Sequence, residues 1–306
     1  MSPFLAFVLA AWFRGNLHTH TLASDGDSPP EAVVQWYREH GYQFLVITDH
    51  DKITIVDGGG LLLIPGEEVT DRLPKKPLHV NAIGVRKLVT PQHGATVVEN
   101  LQKNIDAVRE AGGLALINHP NFGWAFGAGE LKQIRNANFL EIASGHQLVN
   151  MHGPPSVEEM WDAMLTDGQR VWGVAVDDMH HLQSCDPDAV RPGRAWIVVR
   201  AETLDEASIL DAMKRGDFYA STGVELESYD ASPVMTVKIK PQPGAHYTTT
   251  FIGRGGRVLA RTTDNPATYR AKGDEGYVRA KVSDSNGRTA WLQPSWSDKP
   301  AARPRP

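Results

Sequence analysis

Two histidines, His18 and His20, flank a threonine in GNLHTHTLASDGD, near the start of this 306-residue chain. Alternate residues of an extended segment face one side, so the pair can turn two imidazole nitrogens to one point. Alone, such a pair is equally at home on a surface. Asp25 follows five residues after His20, however, and similar groups recur along the chain. Asp49 and His50 close VITDH, Glu67 and Glu68 are placed at the end of the strand around Pro65, His119 closes LALINH, and Asp178 with His180 follows GVAV. Eleven of the twelve histidines lie at or before His181. Neutral imidazole and carboxylate together suit zinc, manganese or iron, and a carboxylate can bridge two ions about 3.5–4 Å apart. Gathered at one place, these residues would make a multinuclear metal centre.

What gathers them is a series of short β-branched runs separated by helical patterns. The runs FRGNLHTH, YQFLVITDH, LLLIPGEEVT, LHVNAIG, GLALINHP, NFLEIAS, RVWGVAVDD and AWIVVRAE read as strands. Ser28–His40 reads as a helix opened by Pro29 and Pro30 and stopped by Gly41, and VVENLQKNIDAVREAGG and SVEEMWDAML repeat that design. This alternation predicts a parallel sheet covered by helices, with ligands at the C-terminal ends of the strands where such folds place their sites. After Gly223 the pattern becomes alternating stretches punctuated by RGG, DNP, GDEG and SNG, which predicts a small antiparallel β-sandwich over 226–298 and a disordered tail over 299–306.

Residues 226–306 carry 13 Lys and Arg against 7 Asp and Glu, which leaves the first 225 residues at −11 within a total of −5. So acidic a segment argues against nucleic acid as a partner, because phosphate backbones call for a basic footprint. No apolar run approaches the roughly 18 residues that span a bilayer. The single cysteine, Cys185, excludes an internal disulfide. SPFLAFVLAAWF has the apolar stretch of an export signal with Ala10 and Ala11 behind it but lacks a basic start, so the cytoplasm is favoured over export and the compartment stays open. Nothing in the sequence fixes the oligomeric state.

LHTH, SDG…PPE, ITDHD, GEEVT, HVNAIG, NHP and VDDMH, in that order over roughly residues 12–222, resemble the metal motifs of the PHP (polymerase and histidinol phosphatase) superfamily. The HVNAIG segment, the FYASTG close and the trailing β-region are most similar to its carbaryl-hydrolase-like metallohydrolase subgroup. The resemblance implies a distorted (β/α)7 barrel over 12–225 with two or three divalent ions. It assigns His18, His20 and Asp178 to the first ion, Glu68 as a bridge to a second held by His79 and His119, and Asp25, His50 and His180 to the third. Glu67 and Asp177 adjoin the chosen ligands; the family's Gly-X-Glu and Asp-X-His patterns select Glu68 and Asp178.

Several other residues have plainer readings. His146 follows a strand and can reach the rim, whereas His181, next to His180, points away. His40 suits a helix C-terminus, and His93, His152 and His246 are loop residues. Lys52, Arg72, Arg191 and Arg194 could overhang the site, as phosphate binding requires, although solvated surface charge accounts for any one of them. GRGGR joins two strands and reads as a hairpin turn, and WLQPSW as sandwich core.

The expected activity is metal-dependent hydrolysis of a small-molecule ester by metal-activated water, with Asp178, His180 and Glu68 at the chemistry and His146, Lys52 and Arg72 on the substrate. The superfamily implies a phosphoester. The subgroup implies a carbamate or aryl ester, and a module that only binds metal or a partner is the remaining class.

Overall fold

The computed structural model describes residues 10–146, 156–184, 186, 188–231 and 234–296. The apolar start up to residue 9, His152, Cys185 and the expected tail lie outside the described residues. β1 (Ala11–Asn16), β2 (Phe44–Leu45) and β3 (Leu62–Leu63) pair in parallel, with α1 (Pro30–Glu39) crossing between the first two. α1 begins on Pro30, carries Glu31 in its first turn and Arg38 in its last, and buries Val33, Val34 and Tyr37. β4 (Gly66–Leu73), β5 (Lys76–Ile83), β6 (Leu114–Ile117), β7 (Phe139–Ser144) and β8 (Trp172–Val176) form a second sheet in that order. α2 (Val97–Glu110), capped by the Thr96 side chain on the Glu99 N–H, precedes β6; the single turn α3 (Ala128–Leu131) and then α4 (Val157–Thr166) flank β7. β9 (Trp196–Ala201), α5 (Glu206–Arg215) and β10 (Phe218–Ser221) follow, both strands antiparallel to their neighbours.

Two single-residue pairings join the sheets. Thr19 pairs with Met179 beyond the ends of β1 and β8, and His50 pairs with Glu68 between the chain after β2 and the start of β4. Pairing therefore runs β1–β2–β4–β5–β6–β7–β8 and back to β1, and both closing points lie among the candidate ligands.

The expectation of an all-parallel sheet is corrected. β4–β5 and β5–β6 are antiparallel, because only Pro74 and Lys75 link Leu73 to Lys76, too few for a crossover helix. Glu67 and Glu68 accordingly begin a strand instead of ending one.

The remaining strands are β11 (Leu226–Asp230), β12 (Val234–Ile239), β13 (Tyr247–Gly253), β14 (Arg257–Thr262), β15 (Ala267–Arg270), β16 (Tyr277–Asp284), β17 (Thr289–Leu292) and β18 (Ser295–Trp296), all paired antiparallel. They do not form a free-standing sandwich. β11–β12–β15 is a separate sheet, but β17 pairs with β10, so the order β14–β13–β16–β17–β10–β9–β1–β2–β3 is one continuous sheet. Its apolar side shares one cluster with the smaller sheet and α1, to which Tyr37, Leu45, Val237, Phe251, Val282 and Leu292 all belong. Gln293 reaches β8: its side chain accepts from Gly173 N–H at 2.9 Å and donates to Gly173 O at 2.8 Å. The RGG turn joins β13 to β14, as read from the sequence, and Trp291 is buried. Among the described residues no helix is long and apolar enough to cross a membrane.

Candidate metal centre

Glu68, at the start of β4, is the hub. His18 (3.4 Å), His79 (3.0 Å) and His119 (3.3 Å) approach its Oε1, and His20 (3.3 Å) and His50 (3.1 Å) approach Oε2. Asp178 Oδ1 lies 3.1 Å from His18 Nε2 and 3.4 Å from His20 Nε2. Asp25 faces His50, His180 and His20 at 3.4–3.5 Å. All nine residues expected as ligands are thus brought together. They fall into four overlapping groups: His18, His20 and Asp178; His18, Glu68 and His119; His50, Glu68 and His79; and His20, Asp25, His50 and His180.

Strand geometry explains the convergence. His18, His119 and Asp178 each stand two residues past a strand end, whereas His79 lies within β5, opposite Thr70 of β4. His119 (φ 22°) and Asp178 (φ 51°) adopt the left-handed region uncommon for residues with a side chain, at about 1–3 kcal/mol each. The SDGD loop carries Asp25 over His20 because Gly26 lacks a Cβ, which would stand 2.8 Å from the His20 main chain.

Residues adjoining the ligands do the positioning. Asp177, whose carboxyl burial pushes up despite its hydrogen bonds, accepts from the N–H groups of Gly193, Arg194 and Ala195, from Asn16 and from Tyr37. Asp49 accepts from Thr21 and Ser24 and so ties the Asp25 loop to the chain after β2. Glu67 points the opposite way from Glu68 and accepts from Val89 N–H; burial raises its pKa to about 7.

Three partners in the centre were not singled out from the sequence. Glu141 on β7 lies 3.1 Å from His18 Nδ1, and Asn118 donates to Glu68 Oε1 at 2.6 Å while its neighbour Asn81 accepts from it. Their only sequence signal is that polar residues interrupt the apolar runs NFLEIAS, LALINH and LHVNAIG. Phe122 sets its ring 5.3 Å from that of His119 and 5.4 Å from that of His146.

Of the expected substrate residues, His146 is therefore one ring away from the cluster, and its burial lowers its pKa against the pull of Asp178. Lys52 and Arg72 are exposed, and among the described residues no side-chain hydrogen bond or ion pair links either to the cluster. Arg194 donates to Gly145 O and Arg191 to Ser184 O. His181 accepts from Val190 N–H, His40 stacks on Trp36, and His93 pairs with Asp71, all apart from the ligands.

The electrostatics call for cations. Burial disfavours the charged forms, yet Asp178, Glu68 and Glu141 lift His18 above its usual range, and Asp25 and Glu68 raise His50 to about 10. His119 and His180 are also raised, against burial, by the same carboxylates, while burial lowers His79. Asp25, Asp178 and Glu68 are held low by the imidazoles around them, although burial opposes this. The Nε2 atoms of His18 and His20 are buried in the midst of these carboxylates without a hydrogen-bond partner among the described residues. Nitrogen donors facing buried carboxylates fit divalent ions, whose charge would replace the protons drawn onto the imidazoles.

No family model matches the chain. It is 29% identical over 160 residues to an uncharacterized protein of Methanocaldococcus jannaschii, a match covering 45% of this chain and 72% of that protein. Among solved structures it is similar to a two-domain protein of Bacteroides vulgatus containing a predicted PHP-like metal-dependent phosphoesterase, with a TM-score of 0.53, 16% identity and coverage of 93% of this chain and 95% of that one. The likeness is one of fold. A putative metal-dependent phosphoesterase of Bifidobacterium adolescentis aligns with a TM-score of 0.40 and 14% identity over 66% of this chain and 96% of that one. The two-domain PHP-like neighbour aligns along almost the whole chain, so the likeness extends through the strands after Gly223.

Proposed function

We propose that the chain is a metal-dependent hydrolase of PHP type that cleaves a small-molecule ester, foremost a phosphoester, at a centre of two or three zinc, manganese or iron ions. The observation that carries this reading is the convergence of five imidazoles on the single buried carboxylate of Glu68. When bound, the ions would supply Lewis-acid chemistry, acidifying water and offsetting charge on the substrate oxygen. In this reading His18, His20 and Asp178 would hold one ion, Glu68, His79 and His119 a second, and Asp25, His50 and His180 a third. The pairing ring of seven strands is read as the distorted (β/α)7 barrel of that superfamily, within a first domain spanning 12–225 and followed by the β-region of 226–298.

The chain's own residues supply order. The Asp178 carbonyl accepts from His180 Nδ1–H at 2.8 Å, which leaves Nε2 as the acceptor facing Asp25. Asn118 fixes the Glu68 carboxylate from one side. Phe122 borders His119 and His146 borders Phe122, where the two can seat the part of the substrate that does not react.

The test is elemental analysis of protein purified without chelator, followed by assays on nitrophenyl phosphates and naphthyl carbamates. Bound transition metal and chelator-sensitive phosphate release are expected. Carbamate cleavage without phosphate release would move the substrate to the carbaryl-hydrolase-like class. Metal-free protein, or activity indifferent to chelator, would overturn the reading.

A further inference from the structure

We propose that Glu141 is a positioning residue for the metal centre, acting through His18; this rests on the reading of the site given above. Its carboxylate is fully buried on β7, and Oε2 lies 3.1 Å from His18 Nδ1, itself fully buried. An ionised carboxylate only accepts hydrogen bonds, so this contact requires the proton on Nδ1. The other ring nitrogen, Nε2, is then left as the donor of a lone pair, and it is this atom that faces Asp178 Oδ1 at 3.1 Å and Glu68 Oε1 at 3.4 Å. Glu141 thus fixes both the tautomer and the ring orientation of His18 and makes its nitrogen more basic.

The location favours this role over simple core filling. Glu141 interrupts the run Phe139–Ser144, where every residue is buried, and an apolar side chain there would avoid the cost of burying charge. Its second oxygen, Oε1, is buried and has no hydrogen-bond partner among the described residues. A buried carboxylate with one oxygen unpaired gains little for the fold by itself; beside a cluster that takes cations, its charge is compensated. Glu141 belongs to none of the four groups of potential ligands, so its effect is exerted through His18 and not by direct coordination.

The experiment is zinc binding by competition with a chromophoric chelator, on full-length wild type, Glu141→Leu and Glu141→Gln, with the fold of each metal-free protein checked by circular dichroism. Glu141→Leu is expected to lose about 10–100-fold in affinity, the usual effect of removing a partner behind a ligand. Glu141→Gln, which still accepts through its amide oxygen but carries no charge, should fall between that variant and wild type. A folded Glu141→Leu that binds zinc as tightly as wild type overturns the proposal, and if that variant does not fold, wild-type affinity in Glu141→Gln overturns it equally. Wild-type protein that takes up no zinc overturns the metal-centre reading and, with it, this role; wild-type uptake with unaltered variants overturns the role of Glu141 alone.

Discussion

Asp178 shows how much one position carries. Its carboxylate meets His18 and His20, while its backbone sits at φ 51°. Among uncharged residues with a side chain Asn tolerates that conformation best, and it keeps the shape. Asp178→Asn should therefore retain the native circular dichroism spectrum while turnover drops by about 100-fold or more, as for loss of a preorganised electrostatic group; full activity would exclude it from the centre. Glu275 makes a separate test far from the site. Burial opposes its charge, but the N–H groups of Lys272 and Gly273 and the Tyr269 hydroxyl hold its pKa at about 2. A carboxyl lowered in the folded state stabilises above its unfolded value of about 4.5, and that contribution disappears as pH falls toward 2. Denaturant titrations should show wild type losing more stability between pH 5 and pH 3 than Glu275→Gln. The choice of Glu68 over Glu67 and of Asp178 over Asp177 as cluster members rested on the resemblance to the family's Gly-X-Glu and Asp-X-His patterns, since spacing alone leaves each adjacent pair open. Glu141 and Asn118 were not legible, since a polar residue inside an apolar run announces a partner without naming it.

At the scale of elements, α4 is bound to the C-terminal strands by a buried ionic network. Arg279 of β16 donates to both Asp162 oxygens at 2.7 and 2.6 Å and to Glu158 at 2.9 Å, and Tyr277 donates to Asp162 at 2.7 Å. Arg279 is 1% exposed, so Asp162→Ala would remove its two-oxygen partner and leave only Glu158, which it shares with Lys281, beside the buried charge. The expected loss is about 3–5 kcal/mol in equilibrium unfolding, and a change below 1 kcal/mol would show that solvent reaches the guanidinium. Helices were readable from proline starts, glycine stops and apolar periodicity, as over Ser28–His40 with Pro30 and Gly41. The β4–β5 hairpin was missed because Pro74-Lys75 is a short, weak turn signal between runs that each look like a buried strand.

For the whole molecule, the strands after Gly223 contribute none of the nine clustered ligands, yet they complete a sheet through β10–β17 and share its core. A chain ending at Gly223 should expose the β10 edge and aggregate, seen by size-exclusion chromatography, although the ligand residues are all retained. Monomeric truncated protein of unchanged Tm would contradict that coupling. Metal should stabilise the full chain in a pH-dependent way. In the metal-free state the raised imidazoles, His50 at about 10, favour folding fully below their unfolded value of 6.5, and this support fades as pH rises through the folded values. Added zinc or manganese competes with those protons, so the gain in Tm should be larger at pH 8 than at pH 5.5. An equal gain at both would mean that imidazole is not a ligand.

The sequence by itself determined the donor types, their order and the spacing that turns His18 and His20 to one side, because spacing along extended backbone is a local property. It also determined where helices start and where the strand-rich region begins. Only the tertiary structure decided that β17 continues the sheet of β10, that Glu68 is the common partner of five imidazoles, and that Glu141 stands behind His18. Those outcomes depend on pairings between residues from 11 to 123 positions apart along the chain, such as His79 with Glu68 and His18 with Glu141. Strand order and side-chain convergence at that range follow from which edges close first around a shared core, and no local pattern encodes them.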